Sequence, residues 1–129
     1  MTFSGDLNRA VTNMQCQADR RVRRVAFAAF QAINGVSPVD KGTFRENWNV
    51  SIDTIDRSAD MARTTADHAE TVSKATVVVS GAKTGDTVYI SNSVPYANKL
   101  EGGYSPQAPA GVVEPAVTRI KNAIEDGRL

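Results

Sequence analysis

Residues 92–111 read NSVPYANKLEGGYSPQAPAG, and this stretch decides the fold that the sequence predicts. Asn92 ends a strand-like run, and asparagine tolerates the unusual backbone angles found at such ends. Pro95 can begin a short helix over Tyr96–Glu101 without leaving an amide donor unused, and the glycine pair that ends at Gly103 stops that helix. The order of these residues predicts a chain reversal directly after a strand.

The same stretch combines an apolar helix face with a stiffened loop. Tyr96, Ala97 and Leu100 lie on one face of the predicted helix and can close over a sheet, while Glu101 follows on the adjacent edge. The loop Tyr104–Gly111 is stiffened at three positions: Pro106, Gln107 and Pro109. The stretch can therefore define a corner of the fold, contact another subunit, or do both.

Hydrophobic periodicity on either side of this stretch predicts an α+β fold. Ser4–Asn34 has the period of one long helix, with apolar side chains at spacings of three or four: Leu7, Val11, Met14, Ala18, Val22, Val25, Ala29 and Ile33. Trp48–Ile55 alternates as a half-buried strand, and Thr87–Ser91 is a second strand. A last helix over Val113–Asp126 has four apolar residues on one face: Val113, Val117, Ile120 and Ile124. We expect a small antiparallel sheet packed against the long N-terminal helix and the C-terminal helix, in a single domain over residues 1–129.

The segment between the two strands is harder to assign. Asp56–Ala66 is polar and indicates a loop or an insertion. A second helix is expected from Asp67 to about Ala75, and Thr76–Val79 could equally be extended. Nothing in residues 56–80 assigns them a role.

Composition and charge exclude several classes of protein. The 129 residues are 41% hydrophobic and 22% charged, which suits one soluble domain with a modest core. The net charge of +1 does not give the global basic field of a nucleic-acid-binding protein. No apolar run reaches the ~20 residues that span a bilayer, and Met1–Arg9 lacks the pattern of a signal peptide. We therefore expect a protein that is kept in a cytoplasm and has no membrane partner.

Residues for catalysis or metal binding are sparse. His68 is the single histidine and lies in a polar stretch that we expect to be exposed and without a functional role. Cys16 is the single cysteine, and its place beside the apolar stripe of the first helix favours a packing or edge role over a reactive one. Residues 81–85 read GAKTG but lack the spacing and the preceding strand of a phosphate-binding loop. The sequence predicts no enzyme, no cofactor and no metal site.

A second turn-rich stretch, residues 37–48, reads SPVDKGTFRENW. Pro38 restrains the backbone, and Asp40–Gly42 suits a turn. Thr43–Asn47 can form a single helical turn ahead of the first strand. We expect Trp48 to be buried at the edge of the sheet, because its large apolar surface is unfavourable to expose.

These two stretches resemble segments of the phage tail-completion family. Residues 37–48 resemble its P-V-D-T-G-x-[LF]-R-x-S/N-W segment, and residues 92–111 resemble its N-x-x-P-Y-A-x-x-L-E-x-G-x-S-x-Q-A-P-x-G segment, in the family's order. Together they cover 32 of the 129 residues, and the second is the more specific. The chain departs from the family pattern at Lys41, where threonine or serine is frequent, and at Val112, where methionine is frequent. The resemblance implies a role in the fold or in subunit contacts for these residues: Asp40, Gly42, Phe44, Arg45, Trp48, Asn92, Pro95, Tyr96, Ala97, Leu100, Glu101, Gly103, Gln107, Pro109 and Gly111.

The resemblance implies a structural virion protein in the neck of a long-tailed bacteriophage. Members of this family act as tail-completion, tail-terminator or head–tail joining subunits, and they usually assemble as rings, commonly hexamers. The implied partners are other copies of the chain, the tail tube protein and the head–tail connector or stopper protein. DNA would pass through the lumen without sequence-specific binding. The implied location is the virion neck, after assembly in the host cytoplasm.

Two other functions stay open at this point: a monomeric accessory protein of the capsid or baseplate, and a small hydrolase or nuclease. The single histidine and the missing metal cluster argue against the enzyme. Native mass separates a ring from a monomer.

Partner contacts are expected on an arginine cluster and on loops. Four arginines crowd the middle of the first helix: Arg20, Arg21, Arg23 and Arg24. They are either a solvated face with stems packed on apolar neighbours, or a contact to an acidic partner subunit or to DNA. Asp56–Ala66 and Tyr104–Gly111 are the loops on which we expect adaptable contacts. We also expect Asp40–Trp48 and Tyr96–Gly111 to be neighbours in space.

Overall fold

The computed structural model describes residues 3–129, and it has the predicted α+β fold. Within those residues the helices are α1 (Phe3–Val36), α2 (His68–Ser80), α3 (Ala97–Glu101) and α4 (Val113–Glu125). The strands are β1 (Asn49–Ile52) and β2 (Val88–Ser91), and short 3-10 turns cover Arg45–Asn47 and Thr65–Asp67. None of the helices in this part of the chain is long and apolar enough to cross a membrane.

The two strands form an antiparallel pair in which Val50 lies opposite Ile90, and α2 lies against β1. The pairing ends at Asp53, which has a positive φ of 63°. The amide of Asp53 donates to the carbonyl of Thr87 at 2.8 Å, and its carboxylate accepts from the amide of Thr87 at 3.0 Å. The sequence predicted a strand up to Ile55, but β1 is shorter because Asp53 turns the chain.

The core lies where the second half of α1 packs against α2 and α4. Phe30 of α1 and Val112, directly before α4, are almost completely buried, with exposed fractions of 1% and 0%. Side chains from the sheet and from both turn-rich stretches join the same buried cluster: Phe44, Trp48, Val50, Val94, Leu100 and Ala108.

The first half of α1 lies outside this core. Every residue of Phe3–Gln17, here called the arm, is exposed, including Leu7, Val11 and Met14 of the predicted apolar stripe. The physical reason is length: α1 has 34 residues and is about 51 Å long, whereas α2 and α4 have 13 residues each and are about 20 Å long. Of the packing or edge role expected for Cys16, the packing alternative is wrong, because Cys16 is on the arm and is exposed, and the edge alternative stays a prediction.

The loop after α2 holds α1 at the point where the arm ends. The carboxylate of Asp19 accepts from the amide and the hydroxyl of Thr84, at 2.9 and 2.8 Å. The hydrogen bond from the amide of Thr84 has the larger effect, and together the two bonds hold the pKa of Asp19 below its usual value. About one turn further on, Nε of Arg23 donates to the carbonyl of Ala82 at 2.8 Å.

The last helix buries its alanines and leaves its larger apolar face exposed. Ala116 and Ala123 are buried, whereas Val117 and Ile124 are 54% and 36% exposed. Small side chains let α1 and α4 approach closely, so the branched residues are left at the rim of the contact. An apolar groove runs between α1 and α4 and is here called the groove. Its apolar lining consists of Ala29, Ile33, Ala116, Val117, Ile120 and Ile124, with Lys121 and Glu125 beside them.

The middle segment is a loop followed by a helix. α2 continues through Thr76–Val79, so the extended alternative is wrong. Its buried residues are spaced by four, as one helix face requires: Thr71, Ala75 and Val79. The 3-10 turn ahead of α2 begins with a capping box, in which the carboxylate of Asp67 accepts from the amide of Thr64 at 2.8 Å.

Candidate functional site

Trp48 lies at the centre of the first turn-rich stretch and is 7% exposed, as predicted. Its indole Nε1 donates to the hydroxyl of Ser37 at 2.8 Å, and this hydroxyl donates to the carbonyl of Ile33 at 2.8 Å. The ring of Phe44 meets the indole edge-on, with ring centroids 5.5 Å apart. Trp48 therefore joins the start of the sheet to the end of α1 through both apolar and polar contacts.

Gly42 allows the first stretch to turn closely against a neighbouring loop. Its φ of +96° is one that other residues rarely adopt, and a Cβ placed on it would lie 2.5 Å from the amide nitrogen of Thr65. That amide donates to the carbonyl of Lys41 at 3.1 Å. Asp40, two residues before Gly42, is exposed. Glycine is required at position 42 by both the positive φ and the close approach of Thr65.

Side-chain amides join the two turn-rich stretches, which are neighbours as predicted. Gln107 accepts from the amide of Val39 through Oε1 and donates to the carbonyl of Val39 through Nε2, both at 2.9 Å. Asn92 donates through Nδ2 to the carbonyl of Phe44 at 2.8 Å. The rings of Phe44 and Tyr96 lie 6.5 Å apart. We call this junction the corner. A carboxylate cannot replace either amide, because it has no donor for the carbonyl.

Glu101 fixes the start of α4 from the end of α3. Its carboxylate accepts from the amides of Val112, Val113 and Glu114, at 2.9, 2.8 and 3.2 Å. Burial alone would raise the pKa of Glu101, but these three amides outweigh it and hold the pKa below its usual value. The positive end of the helix dipole favours the same charge.

Two glycines let the second stretch pass close to its own backbone. Gly103 and Gly111 have φ values of +87° and +86°. A Cβ on Gly103 would lie 2.4 Å from the carbonyl oxygen of Pro109, and a Cβ on Gly111 would lie 2.5 Å from that of Glu101. The loop can therefore close over α3 only with glycine at both positions.

The remaining motif residues support this corner. Ala97 and Leu100 pack against the core, and Leu100 is 9% exposed. Tyr96 is at the surface of the corner, and burial, followed by the charge of Asp40, raises the pKa of its hydroxyl. Two prolines are exposed: Pro95 and Pro109.

Replacing Glu101 with glutamine is expected to lower the free energy of unfolding by about 0.5–2 kcal/mol at pH 7, the range of a lost helix cap. Because the folded-state pKa of Glu101 is lowered, its contribution is fully present above the unfolded-state pKa of about 4.3 and is lost as the pH falls through the folded-state value. The difference between wild type and Glu101→Gln should therefore shrink below about pH 4–5. Urea unfolding at pH 7, 5, 4 and 3 measures it.

The matched control for this experiment is Glu114→Gln. It removes the same charge near the same helix end from an exposed side chain, while the three amides keep their acceptor. A difference between wild type and Glu101→Gln that stays constant down to pH 3 would contradict the charged cap.

A buried carboxylate beside the corner was not predicted. The side chain of Glu46 is 0% exposed, and its oxygens lie 2.9 and 3.0 Å from Nδ1 of His68, whose side chain is 42% exposed. Nη2 of Arg45 lies 3.2 Å from the same carboxylate, and Nε of Arg45 is buried without a hydrogen-bond partner. His68 thus has a specific partner, whereas the sequence indicated only an exposed residue. No sequence signal links residues 46 and 68, because their contact depends on how α2 packs against β1.

The polar loop over residues 56–66 is bonded to the first stretch. Asn47 donates to the carbonyl of Asp60 at 3.0 Å and accepts from its amide at 2.7 Å. Arg63 donates through Nε to the carbonyl of Glu46 at 2.9 Å and through Nη2 to the hydroxyl of Thr71 at 2.8 Å. Asn47 and Arg63 therefore hold this loop against the rest of the chain, and the adaptable partner contacts expected on it stay a prediction.

The arginine cluster lies apart from the corner. Arg20, Arg21 and Arg24 are exposed, while the half-buried Arg23 bonds to the loop after α2. Arg20 is 13 residues before Ile33, which corresponds to about 20 Å along α1. The cluster and the corner are therefore separate surfaces of the chain.

The geometry supplies a rigid corner that fixes the positions of α1, the sheet and α4 relative to one another. Within residues 3–129 no group of three histidine, cysteine, aspartate or glutamate side chains could hold a metal ion. Comparison with protein-family models, curated proteins and solved structures gives no match. The features of the chain that can indicate a function are the corner, the exposed surfaces and the two turn-rich stretches.

Proposed function

We propose that this chain is a structural subunit of the neck of a long-tailed bacteriophage. Copies of it form a ring at the head-proximal end of the tail, complete the tail and join it to the head connector. DNA passes through the lumen of the ring, and the subunit acts through the shape of its surfaces, without a catalytic step or a cofactor.

The observation that best supports this proposal is the corner. The residues that resemble the tail-completion family include those that make its hydrogen bonds and its close approaches: Gly42, Asn92, Glu101, Gly103, Gln107 and Gly111. If the resemblance to the family were due to chance, the shared residues would lie at positions without a common structural role. Here two stretches that are distant in sequence each resemble a segment of the family and also contact each other, which favours a shared fold for them.

The exposed apolar surfaces favour a subunit of an assembly over an isolated protein. Leu7 and Met14 on the arm are 51% and 68% exposed, and Val117 beside the groove is 54% exposed. Large exposed apolar side chains that cluster on one face of a helix are a feature of association surfaces. These surfaces fit a ring better than they fit the alternative, a monomeric accessory protein of the capsid or baseplate.

Particles assembled with and without the chain test the proposal. Without it we expect filled heads and finished tails to accumulate separately, because the joining surface is missing. Native mass of the neck component should correspond to six copies of the 13.8 kDa chain, about 83 kDa. Joined particles at normal yield without the chain would contradict the proposal, and one monomeric copy per particle would favour the accessory protein.

Charge reversal at Arg20 and Arg24 is expected to lower the yield of joined particles about 2- to 10-fold while the fold stays intact. Both side chains are exposed, and exposed ion pairs contribute only about 0–1 kcal/mol each, so they adjust docking more than affinity. Electron microscopy counts joined and separate particles, and circular dichroism checks the fold.

The control for charge reversal is Arg119→Glu with Arg128→Glu, which changes the net charge equally at exposed positions outside the arginine cluster and outside the loops expected to contact partners. A normal yield from Arg20→Glu with Arg24→Glu would remove the arginine cluster from the joining surface. DNA binding by the isolated subunit that falls steeply with salt would instead assign the cluster to DNA.

A further inference from the structure

The chain has two apolar stripes of equal length, whose members are exposed except for the partly buried Ile120. The stripe on the arm consists of residues that are 84%, 51%, 44% and 68% exposed: Phe3, Leu7, Val11 and Met14. The stripe on α4 consists of Val113, Val117, Ile120 and Ile124, and the last three line the groove. In each stripe the last member lies 11 residues after the first, which is about 16 Å of helix. The apolar stripe of the arm is therefore as long as the stripe on α4 that borders the groove.

We propose that the arm of one copy docks in the groove of the next copy. The arm cannot occupy the groove of its own chain, because α1 is one continuous helix that also supplies Ala29 and Ile33 to the groove. A ring requires a head-to-tail contact between two different surfaces of the same chain, and the arm and the groove are two such surfaces. The inference rests on the proposed function to the extent that the contact closes a ring.

The side chains of both surfaces suit helix-on-helix packing. The apolar residues of the arm follow at spacings of four, four and three, and those of α4 at four, three and four. Such a mixture of three and four keeps a straight apolar seam along each helix. The small side chains of Ala29 and Ala116 in the groove allow a third helix to approach closely.

Charge favours an antiparallel arrangement of the arm on α4. With Phe3 level with Ile124, Asp6 is level with Lys121, which lies beside the groove. In the parallel arrangement, with Phe3 level with Val113, Asp6 is level with Ala116 and loses this cation. The opposite charges therefore select the register and the direction, while the apolar seam supplies most of the affinity.

Native mass spectrometry and size-exclusion chromatography with light scattering test this contact on the full-length protein. The arm variant is Leu7→Glu with Val11→Glu, and the groove variant is Val117→Glu with Ile124→Glu. Each is expected to weaken self-association roughly 100-fold or more, because charges replace apolar side chains at the centre of the contact. All four side chains are exposed in the single chain, so circular dichroism and Trp48 emission should be unchanged.

The control is Val77→Glu, which places the same charge on a 71% exposed valine of α2, away from both surfaces. It should associate as the wild type does. Assembly that persists in both the arm and the groove variants would overturn the contact but leave the ring proposal standing. A wild-type protein that is monomeric up to about 1 mM would also overturn the contact, and the particle experiment would decide the neck function separately.

Mixing the arm variant with the groove variant tests directly whether the two surfaces bind each other. The groove variant has an intact arm and the arm variant has an intact groove, so an equimolar mixture should give dimers of one copy of each and nothing larger. Each variant alone should stay monomeric. A mixture without dimers, although each variant has lost assembly, would show that the two surfaces do not bind each other and would overturn the proposal.

Cross-linking in a Cys16→Ser background tests the direction. One copy has Val117→Cys, and the other has either Val11→Cys or Leu7→Cys. In the antiparallel arrangement Val11 is level with Ala116, one residue from Val117, whereas the parallel arrangement brings Leu7 level with Val117. We expect the disulfide from Val11→Cys, and efficient cross-linking from Leu7→Cys alone would overturn the antiparallel arrangement.

Discussion

Replacing Trp48 with alanine is expected to lower the free energy of unfolding by about 3–5 kcal/mol, the usual range for a buried tryptophan. Trp48 is 7% exposed, packs edge-on against Phe44 and donates to Ser37. Its removal leaves a cavity between β1 and the end of α1. Urea unfolding followed by circular dichroism measures the change, since the variant has no tryptophan emission.

Trp48→Phe separates the apolar contribution from the hydrogen bond. It keeps a ring against Phe44 but loses the donor to Ser37, whose hydroxyl still donates to Ile33. We expect a loss of about 1–3 kcal/mol, because phenylalanine is smaller and leaves one hydrogen bond unmade. Full quenching of Trp48 fluorescence by iodide in the folded subunit, or an alanine variant as stable as the wild type, would contradict the buried corner.

Replacing Gly111 with alanine is expected to lower the free energy of unfolding by about 2–4 kcal/mol. A φ of +86° is strained for any residue with a Cβ, and this Cβ would lie 2.5 Å from the carbonyl oxygen of Glu101. The backbone oxygen cannot move aside without shifting Glu101, which holds the start of α4. Urea unfolding measures the loss.

Gly85→Ala is the matched control for this substitution. Gly85 has a φ of +95° but has no atom within 4 Å of an added Cβ. It should lose only the backbone preference, about 1–2 kcal/mol. The difference between the two variants isolates the close contact at Gly111, and equal losses in the two would argue against that contact.

Most of the fold could be predicted from periodicity because its elements follow local rules. The long first helix, both strands and the last helix lie within a few residues of the predicted bounds. The predicted bounds are wrong where tertiary contacts determine the end of an element. Asp53 ends β1 through its bonds to Thr87, and α2 continues through Thr76–Val79 because Ala75 and Val79 share a buried face.

The sequence predicted where the corner lies, but not the bonds that make it. Gln107 and Val39 are 68 residues apart, and Glu46 and His68 are 22 apart, so no local spacing indicates either pair. The sequence also did not indicate which part of the first helix is exposed. An apolar stripe has the same pattern whether its own chain or another copy covers it, so Leu7 and the C-terminal half of α1 belonged to one predicted stripe.

The bonds between Val39 and Gln107 have a consequence for how fast the chain folds. Helices such as α1 form from local contacts within about a microsecond, whereas contacts between distant residues must first close a long loop of chain. Folding rates fall as such distant contacts become more important. We therefore expect the corner to close late, so that the proposed contact between arm and groove becomes possible only at the final folding step.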